Sequence, residues 1–458
     1  MKKKFLLLDS GIIAQIQSAR LRLGEVQKYG GNPLFMEEYF AVPPKKWEVR
    51  YDNGYPNVFY DPQIQKYRCY YTLFLRDEDS ESASLQARVN RQYQPLESRV
   101  TGLCYAESAD GLHWEKPNLG LVEFEGSRDN NILMEYAHGT SVLYDPEDPD
   151  PQRRYKMMTR SDKLDRVAVS FSADGIHWEE LTPWPEHNPA ADTHNFVFRN
   201  ADTGKFVFIT RVWNNGLRVV ARSESQDFLH WSDPIEIYRG CGFEDQIYSM
   251  PVFRCGPVYL GLASIYHGGD TDSPDYDRVD CRLTYSTDTV HWDRVLPGEN
   301  LIPRARGTYP GPCDSGCIYA SVPVTMPDGS MRFYYMGGNG QHTNFRETGL
   351  CLCTLPADHF AGYEPVSALT PGMVQTRFCI QDAVEICVTA DVSEGGFVKV
   401  ELIEANGAET LLGELRQSEI AKPFELPHRV GNDGAALRFT LYRSKIYSFD
   451  SLSCAEDS

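Results

Sequence analysis

Residues Tyr105–Asn118 read YAESADGLHWEKPN. The core of this stretch, Ser108-x-Asp110-Gly111-x-His113-Trp114, gathers a carboxylate, an imidazole and an indole as an active site would. Its recurrence argues for another role. SADGIHW follows at 172–178, SQDFLHW at 225–231 and STDTVHW at 286–292, with the leading serines 64, 53 and 61 residues apart. A tolerant period of this size marks a stack of β units, as in a propeller or a solenoid. The copies then sit on different units, so His113, His177, His230 and His291 cannot share one metal. The aspartate suits a turn in which it accepts backbone N–H bonds. Gly111 and Gly175 permit a positive φ there, and the tryptophan is an anchor between neighbouring units.

The residues before each copy repeat as well. NVFYDPQIQKYRCYYTLF, SVLYDPEDPDPQRRYKMMTR, NFVFRNADTGKFVFITR, SMPVFRCGPVYLGLASIY and IYASVPVTMPDGSMRFYYMGG each read as two strands around a polar turn. A third strand follows each: GLCYAES, RVAVSFS, LRVVARS, CRLTYS and GLCLCT. The expected fold is all-β: a five-bladed β-propeller over 1–365, with Gly31–Ala41 completing the last blade. Beyond residue 368 the dense strands AVEICVTADV, GFVKVELIEA, GAALRFTLYR and KIYSFD predict a small antiparallel β-sandwich over 368–458, a packing or sugar-binding module. Helical periodicity is confined to residues 9–22.

Composition bounds the partners. With 45 basic against 64 acidic residues the formal charge is −19, which argues against a nucleic-acid partner. No window is long and apolar enough for a membrane helix. The start MKKKFLLLDSG mimics a signal peptide, but Asp9 breaks the apolar run and no small-residue cleavage pattern follows, so it reads as mature sequence of a cytoplasmic protein. None of the twelve cysteines stands in a C-x-x-C arrangement. Cys313 and Cys317 lack a second ligand pair, and free buried thiols in a reducing compartment are expected. The run Ile265–Asp280, with Asp270, Asp272, Asp275 and Asp277, does not match a calcium loop and reads as a solvated loop over the cavity. No metal and no cofactor are expected. A homo-oligomer is not indicated.

In a propeller the mouth of the central cavity is lined by residues just before each blade's first strand. Those positions hold Asp52 and Asn53; Glu135 and His138; Asp192, Thr193, His194 and Asn195; Glu244, Asp245 and Gln246; and Asp314 and Ser315. Tyr55, Arg211, Trp213, Tyr248, Tyr266 and His267 would frame the pocket. Converging carboxylates suit glycosidic bond cleavage, in which one acid protonates the leaving oxygen and another acts as nucleophile or base. The expected function is a glycosidase acting on a small oligosaccharide or glycoside. The alternatives are a non-catalytic sugar-binding propeller and a phosphorolytic or lyase-type sugar enzyme, for which His194, Arg211 and His267 are the relevant groups.

The stretches NPLF, GYPNVFYDP, LCYAESADGLHWEKPNLGLVEFEGSRDNNIL, YDPEDPDPQRRYK, ADTHNFVF, RSESQDFLHWSDP, FEDQIYSMPVF, CDSGCIYASVPV and KIYSFDS resemble the glycoside hydrolase family 32-like five-bladed propeller proteins, within the wider family 32/43/68 group. The resemblance implies hydrolysis or transfer at a fructosyl or similar unit. It implies a first-blade aspartate as nucleophile, a later glutamate as general acid and another aspartate that stabilises the transition state. The family's Trp-Met-Asn-Asp-Pro-Asn block is absent, and Asp52 is the nearest first-blade carboxylate. The assignment that results makes Glu244 the acid, Asp192 or Asp245 the base or nucleophile, and Asp314 an orienting group.

Overall fold

The computed structural model describes residues 2–453. The chain is all-β, and the third strand of each early unit ends in the recurring turn. The first sheet pairs Asn57–Asp61, Lys66–Arg76 and Val100–Ser108, with Ile132–Glu135 and Trp114–Glu115 both on the last of these. The second runs Ala137–Tyr144, Tyr155–Ser161, Arg166–Ser172, Thr182–Pro183, and the third Phe196–Arg199, Phe206–Asn214, Leu217–Ser225, Ile235–Arg239. A fourth group is built on Val258–Tyr266 and Val279–Ser286, and a fifth on Cys317–Ala320, Met331–Gly338 and Thr348–Leu355. A single parallel bridge, Val279 to Cys317, joins the fourth and fifth into one sheet. Phe35–Met36 and Gln27–Lys28 add to the outer strand of the fifth.

First strands of successive sheets are tied to each other. Asn57 Nδ2 donates to the Thr140 carbonyl at 2.7 Å, Asn195 N to Gly139 O at 2.7 Å, and Thr193 Oγ1 to Tyr248 O at 2.7 Å. Val58 N donates to Ser321 Oγ at 3.0 Å, so the ties lead from the fifth sheet back to the first.

The four turns share one geometry. Asp110 Oδ1 accepts from Leu112 N and His113 N, both at 2.8 Å, while Oδ2 meets His113 Nδ1 at 2.7 Å. The same bonds recur around Asp174, Asp227 and Asp288. Each turn then docks on the sheet before it. Tyr70 OH donates to Gly175 O at 3.0 Å, Arg153 to Asp227 O at 2.7 Å, and Tyr334 OH on the fifth sheet to Gly111 O at 2.9 Å. The position after the aspartate is left-handed in every copy, although it is glycine in only two. Phe228 (φ 68°) and Thr289 (φ 66°) adopt it too. That conformation costs a non-glycine residue about 1–2 kcal/mol; Phe228 offsets it by packing its buried ring against Phe171, Phe206 and Trp231.

Removing the acceptor, as in Asp110→Ala or Asp174→Ala, is expected to cost about 1–2 kcal/mol per turn in urea unfolding. Acid should have the same direction of effect. Burial opposes ionisation of Asp174, but His177 and the turn N–H groups outweigh it and hold the carboxyl down at about 2. A depressed folded pKa contributes stability that is present above the unfolded value and lost as pH falls from about 4 through about 2. The half-exposed position of the group keeps that contribution small. A urea midpoint that does not fall over this range in the wild type, or falls equally in the Asp174→Ala variant, would refute the assignment.

The remaining strands form a nine-stranded sheet around the long strands Glu385–Glu404 and Ala435–Leu452. Residues at the start of the chain join it. Lys2–Leu6 pairs with Ala435–Leu452, Ile13–Gln17 with Gly372–Thr376, and Ala19–Leu23 with Ala361–Pro365. The apolar run Phe5–Leu8 is therefore buried strand and core. Residues 9–22, expected to be helical, hold one short 3₁₀ turn, Ser10–Ile12, and extended strands. Their partners lie 340 or more residues away, and cross-strand pairing there overrides local periodicity. The described cysteines are free; Cys454 lies outside the described residues. Among the described residues no helix is long and apolar enough to cross a membrane.

Candidate functional site

The turn Tyr51–Tyr55 precedes the first strand of the first sheet, and Asp52, Gly54 and Tyr55 all have positive φ. This winding places Asp52 beside two guanidinium groups, Arg346 at 3.0 Å and Arg50 at 3.4 Å. Burial opposes ionisation of Asp52, but the two arginines win and hold its carboxyl well below the usual carboxylate range. Arg346 is fully buried and also donates to Asn53 Oδ1 at 2.6 Å. Asn53 Nδ2 donates onward to Tyr55 OH at 2.6 Å and Tyr248 OH at 3.3 Å. Five residues from three sheets are thus linked through one amide.

The second and third sheets add imidazoles over Tyr55. The His138 ring lies 6.2 Å and the His194 ring 5.7 Å from the Tyr55 ring. His194 is buried and its Nε2 has no hydrogen-bond partner; burial alone pushes it down to about 3, so it is neutral at ordinary pH. Asn195 braces the turn beneath, donating to Ala191 O at 2.9 Å and accepting from Thr210 Oγ1 at 2.9 Å.

A hairpin of the third sheet leans over the cluster. Its loop is Asn215-Gly216, both at positive φ, the signature of a two-residue turn that matches strand twist. Trp213 and Arg218 are opposite one another across it. Trp213 is 48% exposed, and Arg211 and Arg218 lie against its ring at 5.2 and 4.7 Å. The same guanidiniums stand over Tyr248 at 4.8 and 5.7 Å. Arg211 pairs with Asp192, whose side chain is half exposed. Gln246 Oε1 accepts from Arg218 Nη1 at 3.1 Å.

The fifth sheet contributes its 339–347 loop. His342 packs edge-on against Tyr248 at 4.8 Å and Tyr266 at 5.3 Å, and its Nδ1 meets Tyr319 OH at 2.8 Å. Burial first, then Arg346, holds His342 well below the usual imidazole range. Asp277 fixes this loop by accepting from Thr343 N at 2.9 Å and from Tyr266 OH at 3.2 Å.

Of the other expected residues, Asp245 and Asp314 serve partners outside this cluster. Asp245 turns away to Arg282 at 2.6 Å, beside a cavity of only about 20 Å³. Asp314 is buried and holds Lys28 at 2.6 Å and Tyr335 OH at 2.8 Å, an anchor for the outer strand of the fifth sheet. Ser315 donates to Asn339 O at 3.2 Å and lines a separate cavity of about 250 Å³. His267 bridges Asp280 at 2.8 Å and the Glu244 carbonyl at 3.0 Å, which tethers the Glu244 backbone. The Glu244 carboxylate is exposed and has no ion pair among the described residues, its oxygens lying near Gly242 and Gly269. Glu135 is exposed at the end of its strand. The acidic run is less solvated than expected: Asp277 and Asp280 are buried, and Arg304 holds Asp275 and Asp280 at 2.5 and 2.6 Å. Among the described residues no group of three or more His, Cys, Asp or Glu is placed to hold a metal ion.

Four contributors escaped the sequence reading: Arg50, Arg218, His342 and Arg346. A fifth, Glu37, accepts from Tyr51 N at 2.9 Å and Thr348 N at 3.2 Å, and burial, with Glu347 nearby, pushes it up to about 7. A cavity of about 840 Å³ lies elsewhere, between Arg20, His359, Asp391 and Tyr447, where Arg20 pairs with Glu364 and Asp391 with His359 and Tyr447. The cavity adjoining Asp52 is about 10 Å³.

No protein-family model matches the chain, and no curated protein sequence matches it. Solved structures with a similar course of chain include an N-acetylgalactosamine deacetylase from F. plautii in complex with blood group B trisaccharide (13% identity, 75% of this chain and 97% of that one, TM-score 0.47). Others are a glycosyl hydrolase from Bacteroides ovatus (14%, 72% and 94%, 0.48) and the catalytic domain of a Coprinopsis cinerea GH62 alpha-L-arabinofuranosidase (13%, 73% and 99%, 0.48). At these TM-scores the likenesses assign no residue.

Proposed function

We propose that the chain is a glycoside hydrolase acting on a small oligosaccharide or glycoside in the cytoplasm. Its scaffold would be a five-bladed β-propeller to residue 365 followed by a β-sandwich from 368, with the first strands of the chain added to the latter. One observation carries this reading. Asp52, an ionised carboxylate that reaches solvent, stands where His138, His194, Tyr248, His342 and Arg346 arrive from the other four sheets.

A carboxylate held anionic suits the nucleophile or the base of glycosidic cleavage. Glu244, exposed and unpaired on its loop, suits the proton donor. As the anomeric C–O bond breaks, Glu244 gives its proton to the departing oxygen, and Asp52 either attacks the anomeric carbon or takes a proton from the attacking water. Trp213, 48% exposed, offers a ring face for the sugar, and Arg346, itself held by Asn53, fixes Asp52 in place. Asp192 pairs with Arg211 rather than standing free, and Asp245 and Asp314 serve ion pairs outside the cluster.

A screen of aryl glycosides and small oligosaccharides tests the proposal. Glu244→Gln is expected to slow substrates with alkoxide leaving groups about 10²-fold, and nitrophenyl glycosides far less, because an activated phenolate needs little protonation. Equal loss on both would remove Glu244 from the donor role. No turnover of any glycoside by the folded wild type would sink the enzyme reading.

A further inference from the structure

We propose that Arg211 and Arg218 form an oxyanion subsite, taking either a carboxylate carried by the sugar or inorganic phosphate acting in place of water. The inference rests on the glycoside-processing reading above and deepens it.

Guanidinium groups outnumber carboxylates in the cluster. Arg346 and Arg50 share Asp52, and Arg211 has Asp192. Arg218 has no carboxylate among the described residues; its polar partner is the neutral amide of Gln246, and its Nε is buried without an acceptor. The Nε of Arg211 is likewise buried and unpartnered. Trp213, Tyr248 and Tyr266 meet these guanidiniums through their rings, with Tyr266 at 4.5 Å from Arg218. Ring faces stabilise a cation but leave its in-plane N–H groups unsatisfied. An oxyanion is the ligand that takes up such donors in forked pairs.

The surroundings point the same way. Asp277, the other buried acid nearby, is taken up by Thr343 and Tyr266. His342 is kept neutral by burial and by the field of Arg346, Arg218 and Arg211. The chain as a whole carries −19, so a local excess of guanidinium is a property of this site and not of the surface at large. A neutral sugar seated on Trp213 would exclude water from Arg218 and supply no counter-charge; a uronate or phosphate would supply it.

The phosphate source implies a balanced variant of the same reaction. A phosphate oxygen bonds to the anomeric carbon as the glycosidic C–O bond breaks, the leaving oxygen takes its proton from Glu244, and a sugar 1-phosphate is released.

Wild type, Arg218→Gln and Arg218→Lys are compared, after each is shown to melt cooperatively, with paired aryl hexosides and aryl hexuronides, with and without 10 mM phosphate (about ten times a millimolar dissociation constant). A hexuronide preference in kcat/KM of about 10²-fold that falls at least tenfold in Arg218→Gln, and less in Arg218→Lys, assigns the carboxylate. Phosphate-dependent release of sugar 1-phosphate, lost in Arg218→Gln, assigns phosphate. Turnover of neutral glycosides with neither preference nor phosphate response, unaltered by Arg218→Gln, overturns the subsite while sparing the hydrolase reading. If no glycoside turns over, calorimetry with glucuronate and phosphate decides. Binding weakened tenfold in Arg218→Gln upholds the subsite alone, and no binding overturns it.

Discussion

Asp52→Asn is expected to lower kcat on aryl glycosides by about 10³-fold while the protein remains folded. The magnitude is that of losing an essential acid–base or nucleophilic group. Asparagine preserves shape and an acceptor for Arg346, so the loss isolates charge and nucleophilicity from geometry. Stability should fall modestly, because Arg346 and Arg50 then share no counter-ion. Asp52→Ala should fall further, toward the roughly 3 kcal/mol end of the range for breaking a buried ion pair, since the Asp52 side chain is 24% exposed and partly screened. The pH profile gives an independent reading. The Asp52 carboxyl lies well below its usual range, so its stabilising contribution is complete above the unfolded value near 3.9 and is lost only as pH falls through the lower folded value. The acid limb of kcat/KM should therefore lie below pH 4. An Asp52→Asn enzyme with more than a tenth of wild-type kcat would end the assignment.

The recurring turn was legible because its chemistry is local. Ser108 to Trp114 carries its own bonds, and they repeat at Asp174, Asp227 and Asp288. The residues before each first strand come together only in part. Asp52, Asn53 and Tyr55 converge with His138, His194 and Tyr248, but neighbours in sequence alternate in facing. Thus Gln246 meets Arg218 while Asp245 turns to Arg282, and Asp314 serves Lys28. Arg346 and His342 precede a third strand, not a first one, and lie in a loop whose course depends on Asp277, more than 60 residues earlier. Arg218 enters through a cross-strand pair with Trp213, a register visible only once the Asn215-Gly216 turn is placed. The pairing of Lys2–Leu6 with Ala435–Leu452 is likewise non-local, and nothing within the first residues encodes it.

The tail of the first turn makes a second large effect. Lys116 follows Trp114 in the same stretch, and its side chain is 5% exposed. Its Nζ donates to Glu48 at 2.7 Å, to Tyr51 OH at 2.8 Å and to Met36 O at 3.1 Å, while Glu48 is wholly buried and also accepts from Tyr71 OH at 3.2 Å. Lys116→Met fills the same volume but strands the Glu48 carboxylate, and a loss of about 3–5 kcal/mol is expected from urea midpoints. Adding Glu48→Gln should restore part of it, because a neutral amide no longer needs the ammonium; the double-mutant cycle measures the coupling. The consequence reaches the site. Tyr51 precedes Asp52 and is held from both sides, by Lys116 at its hydroxyl and by Glu37 at its N–H. Loosening that grip should lower kcat in Lys116→Met even at temperatures where the variant is folded, and the double variant should recover activity along with stability. Stability within 1 kcal/mol of wild type would show that Glu48 finds its compensation in the hydroxyls of Tyr51, at 3.0 Å, and Tyr71 alone, and that the turn contributes no charge to the core.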